Sequence, residues 1–521
     1  MPKVLGFDSS TQSLSAMVLE VATGEVVAEE SVNFGRDLPA YASPSGFLPG
    51  GEDGEVHADP LMWLEALDLL LGRMKSAGVD FSEVRALSGS GQQHGSVYLK
   101  GDFAEKLGQM ELAEPLAKQL APYLTRKTSP IWMDGSTSVQ CREISEAVGG
   151  NAEVCRRTGS EMIERFTGSQ IRRFWQVDEA AYAATGRIHL VSSFLASVLA
   201  GRDAGIDYGD GAGMNLMNLE AGAWDERMVA ATAPDLAEKL PDLLASDTVI
   251  GRVSPYFVAK YGFAPECEVV AWTGDNPASL VGMGATEPGR VVISLGTSDT
   301  MFAAMPEPVT DPKGYGHVFG NPAGGFMSLI CFKNGSLARE AVKERLGLDW
   351  ADFDREGLAR TKPGNGGKLM LPYVESEITP RVASEGPRYQ PAQAEWSAAE
   401  EVRGVLEGQF LNMRLHSEWL GVAPEVILLT GGASRNDGIA QVVADVFGVP
   451  VARLDVAGSA GLGAAQRAAQ AVGLASFAEL AGRCSQPTAG SELSPSAGVG
   501  DVMDARLQDF REFLANEYDF A

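Results

Sequence analysis

Val4-Leu5-Gly6-Phe7-Asp8 runs into the polar turn Ser9 to Ser13 and out through the apolar run Ala16 to Leu19. Val291-Val292-Ile293-Ser294-Leu295 runs in the same way into Gly296-Thr297-Ser298-Asp299-Thr300. Short apolar runs bounded by small polar residues read as strands joined by a tight turn. After the first unit, Thr23-Gly24 turns the chain again into Glu25-Val26-Val27-Ala28, so the N-terminal stretch reads as an antiparallel meander of three strands. One such unit opens each half of the chain, as it would in two similar domains facing each other.

The segments between follow from local chemistry. Asp59 is placed to cap a helix whose first residue is Pro60, with Leu64, Leu67, Leu71 and Met74 on one stripe and Gly78 just past its end. Val84 to Leu87 resumes a strand and ends in the glycine-rich Ser88-Gly89-Ser90-Gly91-Gln92-Gln93-His94-Gly95. Helical segments and polar loops alternate to about residue 265. Val269 to Trp272 then reads as a strand closed by Thr273-Gly274-Asp275-Asn276-Pro277, and Ala278 to Met283 as a helix. A boundary near residues 284–290 divides the chain into domains 1–285 and 286–521. Val426 to Leu429 is a buried strand entering Thr430-Gly431-Gly432-Ala433-Ser434-Arg435-Asn436. The helix behind it carries Ile439, Val442, Val443, Val446 and Phe447 on one face. Residues 380–398 read as an exposed excursion and 485–500 as loose chain.

A length of 521 residues suits two or three domains, and 45% apolar residues suit a globular protein. A formal net charge of −27 argues against nucleic acid and anionic membranes as partners. Phosphorylated ligands stay allowed, because local backbone donors and a bound cation hold phosphates within an acidic protein. The five cysteines form no C-x-x-C pair and the five histidines no metal-ligand spacing. The stretch Leu190 to Gly201 is too short and too rich in serine to span a membrane. With no apolar leader before Asp8, a cytoplasmic protein is expected, as a monomer or homodimer.

Small residues at a strand turn let backbone N–H groups approach phosphate oxygens, so Ser10 and Thr11 in the first turn and Gly296 and Thr297 in the second are phosphate-binding candidates. Each turn taken alone reads equally as a plain hairpin. The chain lacks a G-x-x-x-x-G-K-[ST] loop, which argues against a P-loop enzyme. Asp8, at the end of the first strand, suits a hydrated Mg²⁺ shared with nucleotide phosphates, or caps its own turn. Asp275 suits either a helix N-cap or a general base taking the proton of an attacking hydroxyl. Gln92-Gln93-His94 and Trp132-Met133-Asp134 bring unusual polar groups beside apolar segments. Gly431 and Gly432 remove side chains where a base or ribose must lie close, with Asn436 nearby as ligand or cap.

Taken together, Ser90 to Ser96, Ile131 to Asp134, Glu164 to Gly168, Ile206 to Tyr208, Thr273 to Leu280, Ser294 to Thr300, Cys331 to Ser336 and Thr430 to Ser434 resemble the FGGY carbohydrate kinases of the actin-like ATPase superfamily. The likeness extends to about residue 475 and is strongest to the members that phosphorylate D-xylulose. It implies an α/β fold of two ribonuclease-H-like domains with a cleft between them, the N-terminal one binding sugar and the C-terminal one ATP with Mg²⁺. Asp275 then becomes the catalytic base and Asp8 the residue near the metal, while His94, Arg165, Asp275 and Asn276 hold the pentulose. Gly431, Gly432 and Asn436 match the nucleotide-binding loop, and Trp350 a residue beside the base. The first turn departs from many relatives, with Ser9-Ser10-Thr11 where they have Gly-Thr. The expected activity is phosphorylation of D-xylulose to D-xylulose 5-phosphate. Alternatives are a kinase of the same family acting on ribulose, fructose or glycerol, an actin- or chaperone-like ATPase, and a sugar-binding regulator without catalysis.

Overall fold

In a computed structural model, which describes residues 1–518, the chain forms two mixed sheets flanked by helices. The first sheet takes β1 (Lys3–Ser9), β2 (Ser13–Glu20), β3 (Glu25–Asn33) and β4 (Val84–Gly91), the last reached through α1 (Pro60–Ser76). After α2 (Val191–Ala200) come β5 (Val249–Arg252), β6 (Glu268–Val270) and the short β7 (Thr273–Gly274), which leads directly into α3 (Asp275–Gly282). The second sheet holds β8 (Arg290–Leu295), β9 (Asp299–Met305), β10 (His317–Gly320) and β11 (Phe326–Phe332). Next come α4 (Ser336–Arg345), α5 (Ala398–His416), β12 (Val426–Thr430), α6 (Asp437–Phe447) and β13 (Val451–Arg453). The chain closes with α7 (Ser459–Ala471), α8 (Phe477–Cys484) and α9 (Gly500–Tyr518).

The two sheets share one plan. Leaving aside the edge strands β5, beside β6, and β10, beside β11, and the short β7 beside β4, strand order is β3-β2-β1-β4-β6 in the first and β11-β9-β8-β12-β13 in the second. In each, three antiparallel strands are followed by two parallel ones, the ribonuclease-H-like arrangement. The strand-turn echo in the sequence is therefore the same element, β1-β2 and β8-β9, built twice.

Alternation along β1 explains its packing. Leu5 and Phe7 join the core under α1 and α2, whereas Val4 faces Ala465, Ala468 and Ala469 of α7. So α7 and α8 follow β13 in the chain yet lie on the first sheet, and the division at residue 285 is one of chain order that these two helices do not obey. Their apolar residues have partners there: Leu462 and Leu480 pack with Val4, Met17, Leu19 and Ala86. The crossing is made by glycines. A Cβ on Gly463 would overlap the carbonyl oxygen of Ala278 in α3, one on Gly282 that of Ser459, and one on Gly6 that of Gly461. Gly463→Leu is expected to destabilise at or beyond the upper end of the roughly 1–3 kcal/mol typical of overpacking, read by urea unfolding. Gly72→Ala, in α1 with open space around it, should instead gain about 0.4–1 kcal/mol.

Three local expectations need correcting. The glycine-rich Ser88 to Gly91 continues β4 instead of looping, because Gly89 lets the ring of Trp272 lie against the backbone. Helix α3 begins at Asp275, not Ala278, since the first turn of a helix needs no N–H from Pro277. Residues 380–398 are no plain excursion: Arg381–Val382 pairs with Glu377–Ile378, Arg388–Gln390 pairs with Leu369–Leu371, and Trp396 is buried.

Candidate active site

Parallel strands β1, β4 and β7 end together, and their C-terminal ends carry Asp8, the Gln92-Gln93-His94 segment and Asp275. Asp275 is the first residue of α3, with Gly274 in the capping position. Its Oδ1 accepts the backbone N–H of Asn276 at 2.8 Å and the Asn276 side-chain amide at 3.0 Å. These bonds and the helix dipole favour the ionised form. Burial and the like charge of Asp8 outweigh them and push its pKa up to about 7, although the carboxylate stays partly exposed.

The other residues expected to hold the sugar, and Gln93 beside them in the chain, have hydrogen-bonding capacity left over. His94 adopts φ 71°, a left-handed conformation uncommon for a histidine, and its ring stacks on Phe166 at 4.1 Å. Its Nδ1–H donates to the carbonyl of Gly213 at 2.7 Å, and burial holds it neutral, which leaves Nε2 as an acceptor. Arg165 lies with its guanidinium 5.7 Å from the Phe166 ring centre, and among the described residues it has no hydrogen-bond acceptor. Asn276 is oriented from two sides, its amide donating to Gln93 Oε1 at 2.8 Å as well as to Asp275. Gln93 Nε2 is buried without a partner. The site thus offers donors, one acceptor and a carboxylate that takes up a proton near neutrality, a set suited to a polyhydroxylated substrate.

The second sheet provides a different cavity, of about 1060 Å³. Gly296, Thr297, Trp350, Gly432 and Asn436 all line it, and Gly431 lines an adjoining one of about 410 Å³. Trp350 is 41% exposed, its ring set edge-on to Phe353. Asn436 caps α6 through Ile439 N and donates to both oxygens of Asp354 at 2.9 and 2.8 Å. Ser10 and Thr11 stand on the matching turn of the first sheet, where Ser10 N–H bonds the carbonyl of Ser13 and Thr11 Oγ1 accepts the Trp132 indole N–H at 2.8 Å.

The N-terminal domain description of the FGGY family of carbohydrate kinases matches residues 124–282, and its C-terminal domain description matches residues 291–472. The chain belongs to that family. This FGGY kinase is 44% identical over 516 residues to "Xylulose kinase" of Mus musculus, covering 96% of this chain and 92% of that protein. It is 42% identical over 484 residues to "Xylulose kinase 2" of Arabidopsis thaliana, covering 89% and 86%. The crystal structure of xylulose kinase from Rhodospirillum rubrum superposes with a TM-score of 0.81 at 19% identity, over 99% of this chain and 98% of that one, a likeness of fold.

Several supports of this FGGY kinase site were not singled out from sequence. Asp299 and Arg339 are both buried and joined by two hydrogen bonds, 2.8 and 2.9 Å. Asp299 Oδ1 also accepts Gly296 N at 3.1 Å, so the pair braces the Gly296–Thr297 turn from beneath. Asp354 orients Asn436, and Gln93 orients Asn276. Gln93 stood out as a polar residue at a strand end; Asp299 and Arg339 carry no local signal, since their pairing spans 40 residues. Below Asp275, Asp210 is buried and accepts the Ser192 hydroxyl at 2.5 Å, and burial beside Asp207 and Asp275 keeps it well above the carboxylate range.

Proposed function

We propose that this protein transfers the γ-phosphoryl group of ATP to the terminal hydroxyl of D-xylulose, giving ADP and D-xylulose 5-phosphate. One observation carries the reading: Asp275 stands where the parallel strands β1, β4 and β7 end, burial and the charge of Asp8 raise its pKa to about 7, and Asn276, which bonds its Oδ1, is itself held by Gln93, the chain neighbour of the neutral His94. The 44% identity to a protein named a xylulose kinase, over nearly the whole chain, supports the choice of sugar.

On this reading residues 1–285 bind the sugar and residues 286–521 the nucleotide. His94 Nε2 accepts from one sugar hydroxyl, Arg165 donates to sugar oxygens, and Asn276, fixed by Gln93, completes the grip. Each hydroxyl that leaves water needs such a partner, because an unpaired one costs the desolvation of a polar group. The sugar oxygen attacks the γ-phosphorus, Asp275 takes its proton, and the bond to the β–γ bridging oxygen breaks so that ADP leaves with the electron pair. Gly296, Thr297, Ser10 and Thr11 direct N–H and hydroxyl groups at the phosphates, Gly431, Gly432 and Asn436 hold the nucleoside, and Trp350 lies against the base. Drawing the two turns together excludes water, which would otherwise compete as nucleophile.

Asp8 is the residue that would hold Mg²⁺. Its Oδ1 accepts the Ser90 hydroxyl at 2.8 Å, and among the described residues no protein donor is bonded to its other oxygen. No cluster of three or more His, Cys, Asp or Glu residues able to hold a metal occurs among the described residues. One carboxylate completed by water and phosphate oxygens is the usual Mg²⁺ environment, so the residues fit the ion. Its contribution, when bound, is to neutralise phosphate charge.

The test is ADP release measured side by side with D-xylulose, D-ribulose, D-fructose and glycerol. The highest kcat/KM is expected with D-xylulose. A clear preference for another acceptor would reassign the sugar, and ATP hydrolysis indifferent to all four would sink the kinase reading in favour of an ATPase that moves a partner.

A further inference from the structure

We infer that the guanidinium of Arg435 binds the phosphate chain of the nucleotide, an extension that rests on the reading of the large cavity as a nucleotide site. The cavity wall carries four carboxylates, Glu340, Asp354, Asp437 and Asp445, against two guanidiniums, Arg403 and Arg435. A polyanion entering such a wall needs a cation that is free to meet it. Arg403 is not free: its guanidinium donates to Thr361 Oγ1 at 2.6 Å, to the Leu358 carbonyl at 3.1 Å and to Glu407 at 3.3 Å. The Arg435 guanidinium has no hydrogen bond or ion pair to any described residue. It lines both the large cavity and the polar one beside it, so it stands on the ridge formed by the Gly431-Gly432 loop.

The backbone beneath this side chain is fixed while its head is loose. Ser434 closes the turn onto the Gly431 carbonyl through its N–H at 3.2 Å and its hydroxyl at 2.7 Å. Arg453 donates to the Arg435 carbonyl at 3.2 Å. An arginine presented from a braced loop, with its planar fork unoccupied, is arranged for a phosphate more than for solvent.

Calorimetric titration of the full-length wild type, Arg435→Gln and Arg435→Lys with ATP, ADP and adenosine tests this. Arg435→Gln should bind ATP and ADP roughly ten- to hundredfold more weakly, as loss of a charged hydrogen bond predicts. Adenosine binding should be unchanged, and Arg435→Lys should lie between, keeping the charge without the fork. Equal weakening of adenosine and ATP would make the residue a support of the loop, and an unaltered ATP affinity would make it a solvated side chain; either result overturns the inference alone. A wild type that binds none of the three overturns the nucleotide reading and the inference with it. An unchanged thermal midpoint in the variants is the check on folding.

Discussion

Asp275→Ala is expected to lower kcat for sugar phosphorylation by about 10²- to 10⁴-fold, the range lost with a general base, in a protein that still binds ATP. Asp275→Asn should fall nearly as far, since the amide oxygen keeps the hydrogen bonds from Asn276 but takes no proton. The same residue leaves a mark on stability, and its sign is fixed by the raised pKa. A carboxyl that titrates near 7 when folded and at its ordinary value when unfolded holds its proton more tightly in the folded state. The protein therefore loses stability as pH climbs from the ordinary carboxyl range to about 7. Asp275→Asn should remove that part of the slope. Near-normal turnover in either variant would show that the proton goes elsewhere.

Arg339→Met is expected to be the most damaging change in the second half, at about 3–5 kcal/mol, because it leaves Asp299 as an unpaired buried carboxylate. Burial already raises the pKa of Asp299 against the pull of Arg339. The loss extends to function, since Asp299 Oδ1 holds the Gly296 N–H, and a displaced turn weakens phosphate binding. Adding Asp299→Asn should recover part of the stability, as removal of both charges costs less than removal of one. Urea unfolding of the two variants reads this directly. A single variant within about 1 kcal/mol of wild type, the size expected of a solvated pair, would show that the pair bears little load.

What was legible in the sequence is what local chemistry encodes. The Asp59-Pro60 start of α1, the α6 stripe and the two strand-turn units follow from capping, periodicity and turn residues, and each lies where those rules put it. Asp275 stood out because an acid after a strand and before Asn-Pro has few uses. It was legible as special but not as base or cap; the structure gives the capping position to Gly274 and leaves the carboxylate partly open. Asn436 is a cap indeed, and also lines the cavity. The missing parts are long-range. Nothing near residues 459–471 says that an alanine-rich helix will leave its own sheet, because the partners that make it do so, Val4, Met17 and Ala278, are far away in the chain. The same holds for Arg467, whose buried guanidinium donates to the carbonyls of Ala271 at 2.6 Å and Ser246 at 2.9 Å and so ties that helix to the first sheet.

The pH dependence of kcat/KM for D-xylulose tests most directly whether the carboxylate at residue 275 is the proton acceptor. The profile should reach half its plateau near pH 7, where Asp275 titrates, and fall about tenfold per pH unit on the acid side. A profile level from about pH 5 to about pH 8 would mean that no group with this pKa takes part before or at the phosphoryl transfer, and would contradict the role given to Asp275.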